Sequence, residues 1–341
     1  MSRETLHRRP VTDRATCLDL GSDASSNSPL SPRDAFLVAY DRIASLAAVA
    51  DGPAVIVAAV SPERRVLEAV IIEDGRALIL GRHSRCGLQL HASPVALRHV
   101  AVLVRAEGEA VVSRLWDLNT GAPFLTEGGQ PTAALIADGP LYIAVHGYAL
   151  WLIPAATARA WPDRAGAAWS ALPRPAFIDQ RPPAAPAARG KPRAPTVAPL
   201  PVAPPAPRRP RDEISRITLL GPALVLGEPD DVEVGWGALR LQQGARRMRH
   251  HVSAERLDRG ILIGRYDRCG LEIDDPDNHV SRVHALLVKI GGDVWAIDTA
   301  STNGLWRAGA CIEAEILADI DTLGLGTAAT LGWQRQKHAD A

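Results

Sequence analysis

The chain has 341 residues, with 38 basic and 38 acidic side chains and a formal net charge of zero, a length that fits two domains and a linker. The balance excludes a global pull toward polyanions, so any anion has to be recognised locally. Apolar stretches break off well short of the roughly 18 residues of a spanning helix, and the four cysteines show no spacing of a disulfide or zinc framework, which fits a reducing, cytoplasmic location.

Taken in chain order, residues 1–32 are polar and serine-rich and read as a disordered tail. Its basic residues lead into no apolar run, so it does not read as a secretory leader. A short helix is predicted next: Ser31 is an N-cap, Pro32 a first-turn proline, and Phe36, Tyr40, Ile43 and Ala47 share one face. Residues 33–155 are expected to form this helix plus a β-sandwich starting near residue 66. Residues 156–212 are rich in alanine and proline with scattered basic side chains and read as a disordered, extended, basic linker. Those charges are spaced and lack interleaved aromatics, which disfavours nucleic acid. Residues 213–341 are expected to form a second sandwich with a strand-rich lead-in and a core at 245–335. Within it, Ile261-Leu262-Ile263 and Leu271-Glu272-Ile273 are short strands, and Val283 to Ile290 turns at Gly291-Gly292 into Val294 to Ile297 as a hairpin. A looser echo, Gly52 to Val57 against Gly221 to Leu226, suggests a similar lead-in for each module. The fold class is therefore all-β: two sandwiches, a linker and a short N-terminal helix.

Three groups of residues fall at strand ends and loops of the second sandwich, where function concentrates. They are Gly264-Arg265, then Ser281-Arg282-Val283-His284, then Ser301-Thr302-Asn303-Gly304. An arginine fork, a hydroxyl and a loop amide are donors suited to phosphate oxygens. Together with a closing Asp319 to Gly326 segment holding Leu323 and Leu325, the order and spacing resemble the forkhead-associated (FHA) family of phosphothreonine-binding modules. The resemblance covers roughly residues 245–341. It implies that Arg265 and Ser281 take the phosphate with Arg282 beside it. It also implies that Thr302 and Asn303 take the peptide, and that Gly264, His284 and Gly304 support the site.

The chain repeats itself. Residues 81–90 and 264–273 agree at six of ten positions, His99 lies at the place of His284, and Trp116-Asp117 answers Ile297-Asp298. The first copy therefore looks like a degenerate FHA-type sandwich. Its serine position is Ala96, and its loop from Asp117 to Pro123 lacks Ser-Thr-Asn-Gly, leaving Arg82 and Thr120 of the site. Weak or absent phosphothreonine binding is expected there. The copy is read as a surface for dimerisation or an unphosphorylated partner, against a relaxed anion site of Arg82, Arg85, Arg98 and Thr120.

Ser281, His284 and Asp298 have the residue types of a hydrolase triad, but no Gly-x-Ser-x-Gly elbow accompanies them. His250, His251, His279 and His284 match no zinc spacing. The expected function is a non-catalytic, phosphothreonine-dependent adaptor in serine/threonine kinase signalling, with no cofactor and no metal. Its partner is expected to be a phosphothreonine-containing protein, a kinase of that type or its substrate, with self-association through the N-terminal module and no membrane contact. Thr16, with Asp19 three residues on, is a candidate occupant of the C-terminal site. The alternative is a phosphorylation-independent scaffold or accessory component of a secretion or signalling assembly.

Overall fold

The computed structural model describes residues 29–181, 214–222 and 235–336. The tail with Thr16, residues 182–213, and most of the lead-in echo at 221–226 lie outside the described residues. Ser31 Oγ accepts from Asp34 N at 3.1 Å and Pro32 opens the first helix, Pro32–Val49. The helix runs 18 residues and carries the predicted cap, first-turn proline and apolar face. Its buried face, Phe36, Tyr40, Ile43 and Ala47, packs on the first sheet, where Phe36 meets Trp151 edge-on at 5.7 Å. Trp151 Nε1 donates to Pro32 O at 3.0 Å, fixing where the helix starts. None of the described helices is long and apolar enough to cross a membrane.

The repeat is a duplication of a whole sandwich. In the N-terminal module one sheet runs Val66–Glu73, Ala54–Val60, Tyr148–Pro154, Leu141–Val145, Phe124–Thr126, Pro131–Thr132. Its counterpart runs Arg246–Val252, Gly237–Gln243, Ala329–Arg335, Ile320–Leu325, Leu305–Arg307, Ala310–Ile312 in the same order. The facing sheets agree residue by residue. Leu80 pairs with Leu88 and Val100, as Ile263 pairs with Leu271 and Ala285. Val100 pairs with Asp117, as Ala285 pairs with Asp298.

These facing sheets carry unbroken apolar runs because both of their sides are buried. On Ala285–Ile290, Ala285 and Leu287 point into the C-terminal sandwich core, while Leu286 and Val288 point out of it. On Val100–Glu107, Val100, Val102 and Val104 face inward and Ala101 and Leu103 outward. The two outward faces pack on each other. Ile79, Cys86, Ala101, Leu103 and Trp116 meet their repeat equivalents Leu262, Cys269, Leu286, Val288 and Ile297 in one apolar layer. Arg105 caps it, its guanidinium 4.6 Å from the Trp295 ring centre. A self-complementary contact of this kind is what a two-fold dimer uses; here both halves lie in one chain. The face of the N-terminal module that resembles a dimerisation surface is thus covered by the chain's own second module.

Two boundaries differ from expectation. Order continues past residue 155 through helices Ala155–Arg159 and Ala165–Ala171 and strand Arg174–Asp179. The alanine-rich composition hides three large anchors: Trp169 and Leu172 are buried beside the first helix, and Trp161 stacks on Tyr40 at 5.5 Å. Strand Ile214–Leu220, read as lead-in to the second sandwich, instead joins the first. It pairs antiparallel with Ala134–Ala137 and parallel with Arg174–Asp179, and buries Ile217 and Leu219 in the N-terminal core. Its two-residue alternation specifies a half-buried strand but not which sheet edge receives it.

Candidate functional site

The three motif loops converge because the backbone straps them together. A Cβ at Gly264 would approach the Ser281 and Arg282 carbonyl oxygens closer than 3.0 Å, so only glycine lets these chains come this near. The approach allows Arg265 N to donate to Ser281 O at 3.2 Å and Tyr266 N to Arg282 O at 3.0 Å. Arg265 Nε donates to Val280 O at 3.1 Å, laying the side chain along the second loop.

His284 ties the second loop to the third. It is fully buried, its Nδ1 accepts from Ser281 N at 3.1 Å and its Nε2 meets Gly304 O at 3.0 Å. Burial pushes its pKa down to about 4, with the Gly304 bond opposing and Arg98 adding to the shift. The ring is therefore neutral at pH 7, protonated on Nε2, and works as a brace. Gly304 itself has φ +77, a left-handed turn that suits glycine.

Ser281 Oγ sits at the meeting point. It accepts from Thr302 N at 2.9 Å and lies 3.4 Å from Thr302 Oγ1. Asp298 Oδ2 shapes the third loop by accepting from Ser301 N at 3.0 Å, and burial raises the pKa of its carboxyl. Thr302, Asn303 and Arg282 are exposed around Ser281. Asn303 Nδ2 donates to His279 O at 2.7 Å, and Trp306 Nε1 donates to Asn303 O at 2.8 Å. The structure thus joins Arg265, Ser281, Thr302, His284 and Gly304 directly, with Asn303 and Arg282 on the rim. Both nitrogens of His284 are engaged by backbone groups, so Ser281, His284 and Asp298 do not form a nucleophile–base–orienter chain. Among the described residues no group of three or more His, Cys, Asp or Glu is placed to hold a metal.

The N-terminal copy keeps the straps and Arg82 but loses the hydroxyl and the Ser-Thr-Asn-Gly loop. Arg82 N donates to Ala96 O at 2.9 Å, and His99 repeats the brace between Ala96 N at 3.1 Å and Ala122 O at 3.0 Å. Ala96 has no hydroxyl. The third loop is one residue shorter, five steps from Asp117 to Ala122 against six from Asp298 to Gly304. Thr120 Oγ1 is turned inward, donating to Asp117 Oδ1 at 2.7 Å.

Arg85 and Arg98, grouped with Arg82 and Thr120 by sequence, do not join an N-terminal anion site. They reach across the apolar layer. Arg98 Nε and Nη2 donate to Ala300 O at 3.0 and 2.7 Å, and Nη2 also lies 3.4 Å from Ser281 Oγ. Arg85 Nη1 donates to Ser301 O at 2.9 Å. In return Asn119 Nδ2 donates to Arg268 O at 2.6 Å. The sequence does carry a signal for this: Arg98 stands where the repeat has the buried Val283, a charge at an apolar position.

Residues 261–326 match the family model described as FHA domain. The chain is similar to the FHA-1 domain of Mycobacterium tuberculosis Rv1747, at 20% identity over 30% of this chain and 98% of that one, with a TM-score of 0.24. It is also similar to the Slr1951 protein of Synechocystis, at 23% identity over 30% of this chain and 99% of that one, TM-score 0.26. A third likeness is to the FhaA FHA domain solved with the intracellular domain of Rv3910, at 26% identity over 29% and 99%, TM-score 0.24. No curated protein matches the chain. The segment that holds all three strapped loops, residues 261–326, is an FHA domain.

Proposed function

We propose that the chain is a non-catalytic, phosphothreonine-dependent protein-binding adaptor whose C-terminal loops dock the phosphopeptide. The observation that carries this reading is Ser281 Oγ, held by the Thr302 amide in a cradle that Arg265 borders, with Thr302, Asn303 and Arg282 exposed around it. A phosphothreonine brings close to two negative charges and three acceptor oxygens. Arg265 and Ser281 engage these oxygens with Arg282 alongside, and Thr302 and Asn303 order the peptide backbone. Because backbone hydrogen bonds and His284 strap the loops to one another, little ordering entropy opposes binding. The neutral His284 holds the loops without taking up the charge change. The partner is a substrate of a serine/threonine kinase, or such a kinase itself, met in the cytoplasm. The N-terminal copy, lacking the hydroxyl and the longer loop, binds phosphate weakly or not at all.

The test is a phosphothreonine peptide library with unphosphorylated and phosphoserine controls, applied to the full chain and to Arg265→Ala. Phospho-dependent binding that disappears in the variant supports the adaptor. Equal binding of unmodified peptides supports the phosphorylation-independent scaffold instead.

A further inference from the structure

We propose that the phosphate site is shared between the two modules: Arg98, from the module whose own site is incomplete, supplies a second guanidinium to the phosphate at Ser281. This rests on the reading of Arg265, Ser281 and Thr302 as a phosphate site. Arg98 Nη2 is 3.4 Å from Ser281 Oγ. An acceptor hydrogen-bonded to that hydroxyl, at roughly 2.7 Å, is then no more than about 6 Å from Nη2. That range lies inside the Debye length of about 10 Å at 0.1 M salt, so the charge of the part-buried Arg98 is felt by the phosphate at low salt and screened as the length falls to about 3 Å at 1 M.

The geometry also gives Arg98 a second task. Its Nε and Nη2 grip the Ala300 carbonyl, and Arg85 takes the next one, on Ser301. Ala300 has φ +58, a left-handed conformation costly for alanine. The two arginines of the first module therefore hold the turn that presents Thr302 and Asn303. Asp298, on the same loop, offsets the positive charge of Arg98, while Arg85 adds to it. The quasi-symmetric contact is unequal here: the position of Arg98 in the second module is Val283, so of the two arginines only the counterpart of Arg85, Arg268, reaches back, its guanidinium lying beside Gly121 and Asp117. The intact loop receives two arginines, Arg85 and Arg98, and the degenerate loop one, Arg268.

The experiment titrates the full chain with a fluorescent phosphothreonine peptide pool of randomised flanks, at low and at high salt. It compares wild type with Arg98→Gln, Arg98→Lys and Arg265→Ala. Gln keeps a donor for the Ala300 carbonyl without charge; Lys keeps the charge without the fork. Weakening of roughly tenfold in Arg98→Gln at low salt, shrinking at high salt and largely restored in Arg98→Lys, supports the shared site. Arg98→Gln binding like wild type while Arg265→Ala does not bind overturns it and leaves the adaptor reading standing. Arg98→Lys as weak as Arg98→Gln, with both melting lower, reduces Arg98 to a structural staple and also overturns it. Wild type that ignores the phosphate ends both readings.

Discussion

Leu286→Ala tests whether the two sandwiches share a core. Leu286 is fully buried, yet it points away from the C-terminal sandwich interior that its neighbour Leu287 occupies. In a free sandwich, position 286 would lie on the solvent face, where substitutions change stability by less than about 0.5 kcal/mol. Packed between modules, truncation costs the lost transfer energy plus the cavity, about 2–5 kcal/mol for leucine to alanine. The neighbourhood argues for the upper half of that range. Gly260, held at φ +89, has its would-be Cβ 3.0 Å from Leu286 Cδ1 and 3.8 Å from Trp116 Nε1, so rigid groups of both modules surround the leucine and little collapse into the void is available. Urea denaturation followed by tryptophan fluorescence reads the change directly, with an expected loss of about 3–5 kcal/mol. A loss below about 0.5 kcal/mol would show that the face is not buried and refute the packing of the two modules.

Three further outcomes are expected. A double-mutant cycle on Arg105→Ala and Trp295→Ala, residues of different modules, gives a coupling of about 0.5–1 kcal/mol; additive effects would mean that the cation–π contact is absent in solution. Gly264→Ala forces a methyl against the Arg282 carbonyl; it lowers stability by about 1–3 kcal/mol and abolishes phosphopeptide binding, and wild-type affinity in the variant would contradict the strapping of the first two loops. In imidazole NMR titrations His99 and His284, each held at about 4 against 6.5 for the free group, stay neutral from pH 8 to about pH 5. The unfolded chain binds their protons first. Their contribution to stability is therefore full above pH 6.5 and lost as pH falls toward 4. Burial of Asp117, raised from 3.8 to about 6, works in the opposite direction over that window, and Asp298 is raised as well. A midpoint near 6.5 for either ring would contradict its burial.

What the sequence made legible was local or repeated. Ser31, Pro32 and the Phe36–Tyr40–Ile43–Ala47 spacing announce the first helix because caps and periodicity act within a few residues. The six shared positions of 81–90 and 264–273 announce two sandwiches, and the Ala96 and Ser281 difference separates their sites. The rest depended on choices between equivalent partners. Ile214–Leu220 reads as a strand from its alternation, but only tertiary pairing decides that it joins Ala134–Ala137 in the first sandwich. Trp161, Trp169 and Leu172 were diluted by alanine, so composition suggested a linker where these side chains build a packed face. The apolar pairs Ala101–Leu103 and Leu286–Val288 break the in–out alternation of a sandwich with one wet face, which is the trace that the shared layer leaves in the sequence. Arg98 stands out in the repeat as a charge at an apolar position, and the shared layer sets it beside Ser281.

Phosphate binding is assigned to the loops of the second module. Backbone NMR of the full chain during titration with a phosphothreonine peptide tests it most directly. Amide shifts are expected to concentrate at Arg265, Ser281, Thr302 and Asn303, and to be absent with the unphosphorylated peptide and in Arg265→Ala. Shifts centred on Arg82 and Thr120, or identical shifts from the unmodified peptide, would contradict it.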